Sequence, residues 1–162
     1  MNKHFTLLLL SGFTSLCVAQ EDGLTKVTPE EAANKMKVGN YEDALTDYLQ
    51  LLNEDSRNES YNYNVGVCYL NNSMNKSKAV PYLEIVTRKE KHDPNADYLL
   101  GRAYQYANRF DDAVLAFKKF KADAKGTVFN LVDADLQIQH CINAKELMKF
   151  PVDVMFQNLG SN

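Results

Sequence analysis

From Thr28 to Lys149 apolar residues recur at every third or fourth position, in runs broken by short polar stretches. That spacing lines them along one face of a helix. Tyr41, Ala44, Leu45, Tyr48, Leu51 and Leu52 make one such run. The sharpest stretch is Asn95 to Phe120, where two runs flank a short turn. Gly101 stands in the first run, Ala113 in the second, and aromatics stand at Tyr104, Phe110, Phe117 and Phe120. The pattern predicts an all-α chain of helix pairs: 28–38 with 41–53, one pair within 58–91, another within 93–125, and a last unpaired helix over 127–149.

The pairs echo one another. In the second helix of each, an alanine recurs at Ala44, Ala79 and Ala113, 35 and 34 residues apart. In the first helix a small residue recurs at Ala32, Gly66 and Gly101, 34 and 35 apart. Small residues let two antiparallel helices approach where their ridges cross, so Gly66 and Gly101 are expected against Ala79 and Ala113. Val65 and Tyr69 with Leu83, and Leu100 and Tyr104 with Phe117, would fill the space around those crossings. One such pair cannot cover its own apolar face, so neighbouring pairs must stack.

Local signals fit the pattern. Thr28-Pro-Glu-Glu31 has an N-cap, a proline at the first helical position and a glutamate able to close a capping box. Gly39-Asn40 ends that helix. Asp93-Pro94 caps the first helix of the third pair, and Asp111 and Asp112 favour the start of its second through the helix dipole. Pro81 is compatible only with a helix that begins near Ser77, so a late start or a slight bend is expected there. The helix over 127–149 carries Val128, Leu131, Val132, Leu136, Ile138, Cys141, Ile142, Leu147 and Met148, and is expected to act as a lid on the stack. Beyond Pro151, Val152, Val154 and Phe156 alternate in strand fashion. With no sheet to join, residues 150–162 are expected to be an extended linker or the start of a following domain.

The N-terminus changes the picture of where the chain works. Lys3 and His4, an apolar core from Phe5 to Leu10 and the small-residue end Cys17-Val-Ala19 read as a secretory signal peptide, cleaved before Gln20. Lipidation of Cys17 is the alternative, but Leu16 is not the small residue that usually precedes such a cysteine. Residues 20–27 are expected to be a flexible N-terminus. Loss of Lys3 takes the net charge from −3 to −4, a balance that points away from nucleic acid.

Candidate chemistry is sparse. Cys68 and Cys141, the thiols left after cleavage, lie a whole pair apart and are expected to be buried and free rather than bridged. His92 sits in a charged run, and His140 beside Cys141 lacks metal-ligand spacing, because adjacent helical residues point about 100° apart. Ala124-Lys-Gly-Thr127 lacks the glycine spacing of a phosphate loop. The Asn-x-Ser sequons at Asn58, Asn71 and Asn75 are read as polar loop residues. The expectation is a non-enzymatic chain with neither metal nor cofactor.

Val65-Gly66…Tyr69…Ala79 and Leu100-Gly101…Tyr104…Phe110…Ala113…Phe117 resemble tetratricopeptide repeats over residues 25–125. The chain departs from that family late in each second helix, where Leu51, Val86 and Phe120 replace a small residue. The resemblance implies an α-solenoid of three helix pairs with a capping helix, and a concave face lined by the first helices. Spacing then selects Tyr63, Asn64, Val67 and Leu70 in the second pair, and Tyr98, Arg102, Gln105 and Tyr106 in the third, as a protein-binding groove. Some of those tyrosines could equally pack between pairs. The clamp that some chaperone-binding members of the family use for a C-terminal carboxylate needs Lys and Arg at set groove positions; here only Asn64 matches, which points away from that specialisation.

Cys141-Ile-Asn-Ala-Lys-Glu-Leu-Met-Lys-Phe-Pro-Val-Asp-Val and the later Asn-Leu-Gly-Ser are similar to a junction in Bacteroidota envelope proteins. In those proteins a repeat domain leads into a β-propeller and an OmpA-like peptidoglycan-binding domain, and some resemble type IX secretion components. The resemblance implies an exported, periplasmic scaffold that binds another envelope protein or peptide in an outer-membrane-associated assembly. Peptidoglycan would be reached only through a domain absent from this chain. A free-standing periplasmic adaptor or lipoprotein is the alternative.

Overall fold

The computed structural model describes residues 26–71, 75–124, 131–150 and 152. Seven α-helices follow one another: α1 (Pro29–Lys37), α2 (Tyr41–Glu54), α3 (Glu59–Asn71), α4 (Val80–Thr87), α5 (Asn95–Tyr106), α6 (Phe110–Asp123) and α7 (Leu131–Leu147). A 3₁₀ turn, Lys76–Ala79, leads into α4. There is no strand among the described residues, so the chain there is all-α. The proposed signal peptide and the strand-like 153–162 lie outside the described residues. None of the described helices is long and apolar enough to cross a membrane.

The ends of the helices are set by local chemistry. Thr28 accepts the Glu31 N–H on its side chain, while the Glu31 carboxylate takes the Thr28 N–H at 3.1 Å, closing the capping box. Gly39 adopts φ +81° in the α1–α2 turn, and Asn108 adopts φ 57° at the equivalent place between α5 and α6. Both are left-handed residues just past a helix end, a conformation that glycine and asparagine reach most readily. Pro81 occupies the first turn of α4, which starts late, after the 3₁₀ turn. In that place its missing N–H leaves no helical bond unmade.

Each helix packs on the next, and α3 also packs on α5. Ala32, Ala44, Ala79 and Ala113 are wholly buried, as the spacing predicts. A Cβ on Gly66 would lie 2.6 Å from Leu83 Cδ2, and one on Gly101 would lie 2.7 Å from Phe117 Cε1. Each glycine therefore makes room for a large side chain of the partner helix. Leu83 and Phe117 are fully buried as a result, each gaining about 1.5–3 kcal/mol relative to exposure.

Among the described residues the interior divides into three apolar clusters. One gathers Ala32, Ala44, Tyr48, Leu51, Leu52, Val65 and Cys68. The central one is built on Leu83, Leu100, Ala103, Ala113, Phe117 and Cys141. The third holds Phe120, Ala124 and Ala134. Tyr69 packs against the first and second, and Tyr98 against the second and third. Cys68 and Cys141 are buried and free. On α7 the expected lid is half right. Leu131, Ile138 and Cys141 turn inward, yet Val132, Leu136, Ile142 and Leu147 are exposed. A helix that caps an apolar face while carrying apolar residues on its outer side moves part of the exposed face outward instead of removing it.

Candidate ligand-binding face

Three helices, α3, α5 and α7, are joined side by side through polar side chains. The Asn95 amide donates to the Tyr63 hydroxyl at 2.8 Å, tying α5 to α3. On the other flank the Tyr98 hydroxyl donates to Asp133, and the Gln105 amide donates to the Gln137 carbonyl at 3.3 Å, tying α5 to α7. The eight residues predicted for a groove thus fall into distinct places. Tyr98 is a packing residue, its ring 5.5 Å from Phe117 and 5.3 Å from Phe120 between centroids. Gln105 also reaches Cys141 Sγ and is taken up by α7. Asn64 meets the Tyr48 hydroxyl on α2. Val67 and Leu70 are half-buried, and Leu70 leans on the central cluster. Tyr63 lies beside a hollow of about 420 Å³ lined by Glu59, Ser60, Val86 and Asp93.

Arg102 and Tyr106 remain, one helical turn apart on α5. Arg102 Nη2 donates to the Tyr106 hydroxyl oxygen at 3.3 Å, and the guanidinium also meets the Tyr98 hydroxyl. From beyond the end of α3, Lys76 Nζ donates to the same Tyr106 oxygen at 3.5 Å and lies 4.9 Å from the ring centroid. The Arg102 hydrogen bond and the Lys76 ammonium hold the Tyr106 phenol below its ordinary range, against a smaller opposing effect of burial. By contrast, burial first and Asp133 second push the Tyr98 phenol up. Among the described residues neither Arg102 nor Lys76 has a carboxylate partner.

Lys76, Asn95 and Asp133 are hydrogen-bonding neighbours of the face that the spacing argument missed. Lys76 sits in a turn, where helical periodicity says nothing about direction. The sequence also gave His92 no partner, whereas the structure places it in a buried polar network. His92 Nε2 is 2.8 Å from Asp97 Oδ2, its Nδ1 is 2.7 Å from the Lys89 carbonyl, and Lys119 Nζ donates to Asp97 Oδ1 at 2.9 Å. The signal was present: Asp97 falls on the same stripe of α5 as Gly101 and Tyr104, where an acid must find a partner. The network fastens the α4–α5 connection to α6. Among the described residues no three His, Cys, Asp or Glu side chains gather as a metal site requires.

The face that results offers hydrogen-bond donors and aromatic surface. No protein-family model matches this chain, and no curated protein matches it in sequence.

Proposed function

We propose that this chain is a non-enzymatic interaction module, a tetratricopeptide-type scaffold whose α3–α5–α7 face holds a segment of another protein. One observation carries the reading: Arg102, half-buried on that face, is engaged only by tyrosines among the described residues. Half-buried arginines in a monomer ordinarily find a carboxylate, and arginine and tyrosine dominate binding energy where a partner completes them. The 34- and 35-residue echo of buried small residues, and the left-handed residues at equivalent turns, support the repeat reading. The leader-like residues 1–19 and the junction-like stretch from Cys141 support placing the module in the bacterial envelope, in an outer-membrane-associated assembly of the type IX secretion kind.

Site-directed photo-crosslinking tests this. A photoreactive residue at position 106, on the face, should trap a partner protein in intact cells. The same residue at position 115, exposed on α6, should not. Equal yields at the two positions, or none at 106, would reject the face as a binding surface.

A further inference from the structure

We infer that the Arg102–Tyr106–Lys76 cluster is an anion site that takes an acidic side chain, aspartate or glutamate, of a bound peptide. The inference rests on the interaction reading above and names the chemistry that reading leaves open. A phenol oxygen has two lone pairs. Here Arg102 and Lys76 donate into them at 3.3 and 3.5 Å, so the phenol proton must point away from both cations. It has no acceptor among the described residues. The cluster therefore presents one O–H, an ammonium with N–H groups to spare and a guanidinium with further N–H groups. All are donors and none is an acceptor. Such a set is completed by a carboxylate, whose two oxygens accept several charge-assisted bonds at once.

The charge balance points the same way. The chain is acidic overall, at −3, and its buried carboxylates are matched, Asp47 by Lys35 at 2.5 Å and Asp97 by Lys119 and His92. The carboxylate on this side, Asp133, is held by the Tyr98 hydroxyl. The opposite end of the face, near Tyr63, is lined by Glu59 and Asp93. From Asn95 to Tyr106 the helix rises about 16 Å, enough for about five residues of extended peptide. A segment lying along α5 is thus attracted by its acid at one end of the face and repelled at the other, which fixes its direction.

The test is an NMR titration of the full chain with a short acetylated, amidated oligoglutamate peptide, beside an oligoglutamine peptide of the same length. Oligoglutamate should shift the Arg102 side-chain and Tyr106 ring signals, and oligoglutamine should not. R102Q and Lys76→Met should each weaken binding about tenfold or more, with helical circular dichroism unchanged. If either cation variant fails to fold, Tyr106→Phe keeps both charges, removes the one O–H donor, and should weaken binding severalfold. Bound carboxylate should also return the Tyr106 phenol toward its ordinary range. Equal binding of oligoglutamine, an unaltered affinity in R102Q, or tighter binding of inorganic phosphate than of oligoglutamate would each overturn the inference. If the crosslink at position 106 forms and oligoglutamate does not bind, the anion assignment fails and the interaction module stands.

Discussion

At the scale of single residues, the two helix-pair glycines show how a spacing pattern marks a close approach without stating its geometry. The sequence marks Gly66 and Gly101 as small, because they repeat. It cannot say which side chain needs the room, since that depends on the rotation of the partner helix. Alanine at Gly101 would gain about 1 kcal/mol in helix propensity. It would also press on the fully buried Phe117 ring at 2.7–2.8 Å, and overpacking costs about 1–3 kcal/mol. Gly101→Ala should therefore lower the urea midpoint by the equivalent of about 1 kcal/mol, with the slope unchanged. Gly39→Ala has empty space around it and should cost a similar amount for another reason, its φ of +81°. Cys68 supplies a pH test. Burial pushes its thiol from 9.0 up to about 11. A group kept protonated longer in the folded chain stabilises it below the unfolded value, and that stability disappears as pH rises from about 9 to about 11. Urea melts at stepped pH should show this alkaline loss, and Cys68→Ala should shrink it.

At the scale of elements, the helices were largely legible, because caps and breakers act locally. Thr28, Pro29 and Glu31 name the start of α1 in the sequence and do so in the structure. Pro81 delays α4 as its missing N–H demands. The Thr28 cap should be worth about 1 kcal/mol, so Thr28→Ala should raise hydrogen exchange in α1 and leave α5 and α6 unchanged. The Thr28 hydrogen bonds hold the exposed Glu31 carboxylate below its ordinary range. Its share of the cap is therefore present above the ordinary carboxylate range and is lost as pH falls through the lowered value. What local signals could not supply was the pairing of charges between elements. Asp97 was visible as an acid on an apolar stripe, but its partners came from the α4–α5 connection and from α6. Asp97→Asn should cost about 2 kcal/mol by weakening charge-assisted bonds to His92 and Lys119, measurable by urea unfolding. Of the face itself, Tyr106 is exposed and Arg102 half-buried, whereas Tyr98 and Gln105 are taken up by α7, whose position no spacing rule provides.

At the scale of the whole molecule, three apolar clusters joined through Tyr69 and Tyr98 make stability a chain of neighbouring contributions rather than one shared core. Phe120, 2% exposed, anchors the smallest cluster. Phe120→Ala should cost about 3–5 kcal/mol locally. Hydrogen exchange should then report α7 opening well before α1 to α4, as a separate cooperative unit. The same partition has a mechanical consequence. Pulled from its two ends, a protein built this way would lengthen in instalments, the small C-terminal unit giving way at low force while the rest still bore load. Tension along the chain would then be absorbed stepwise, and the remaining helices would stay wound.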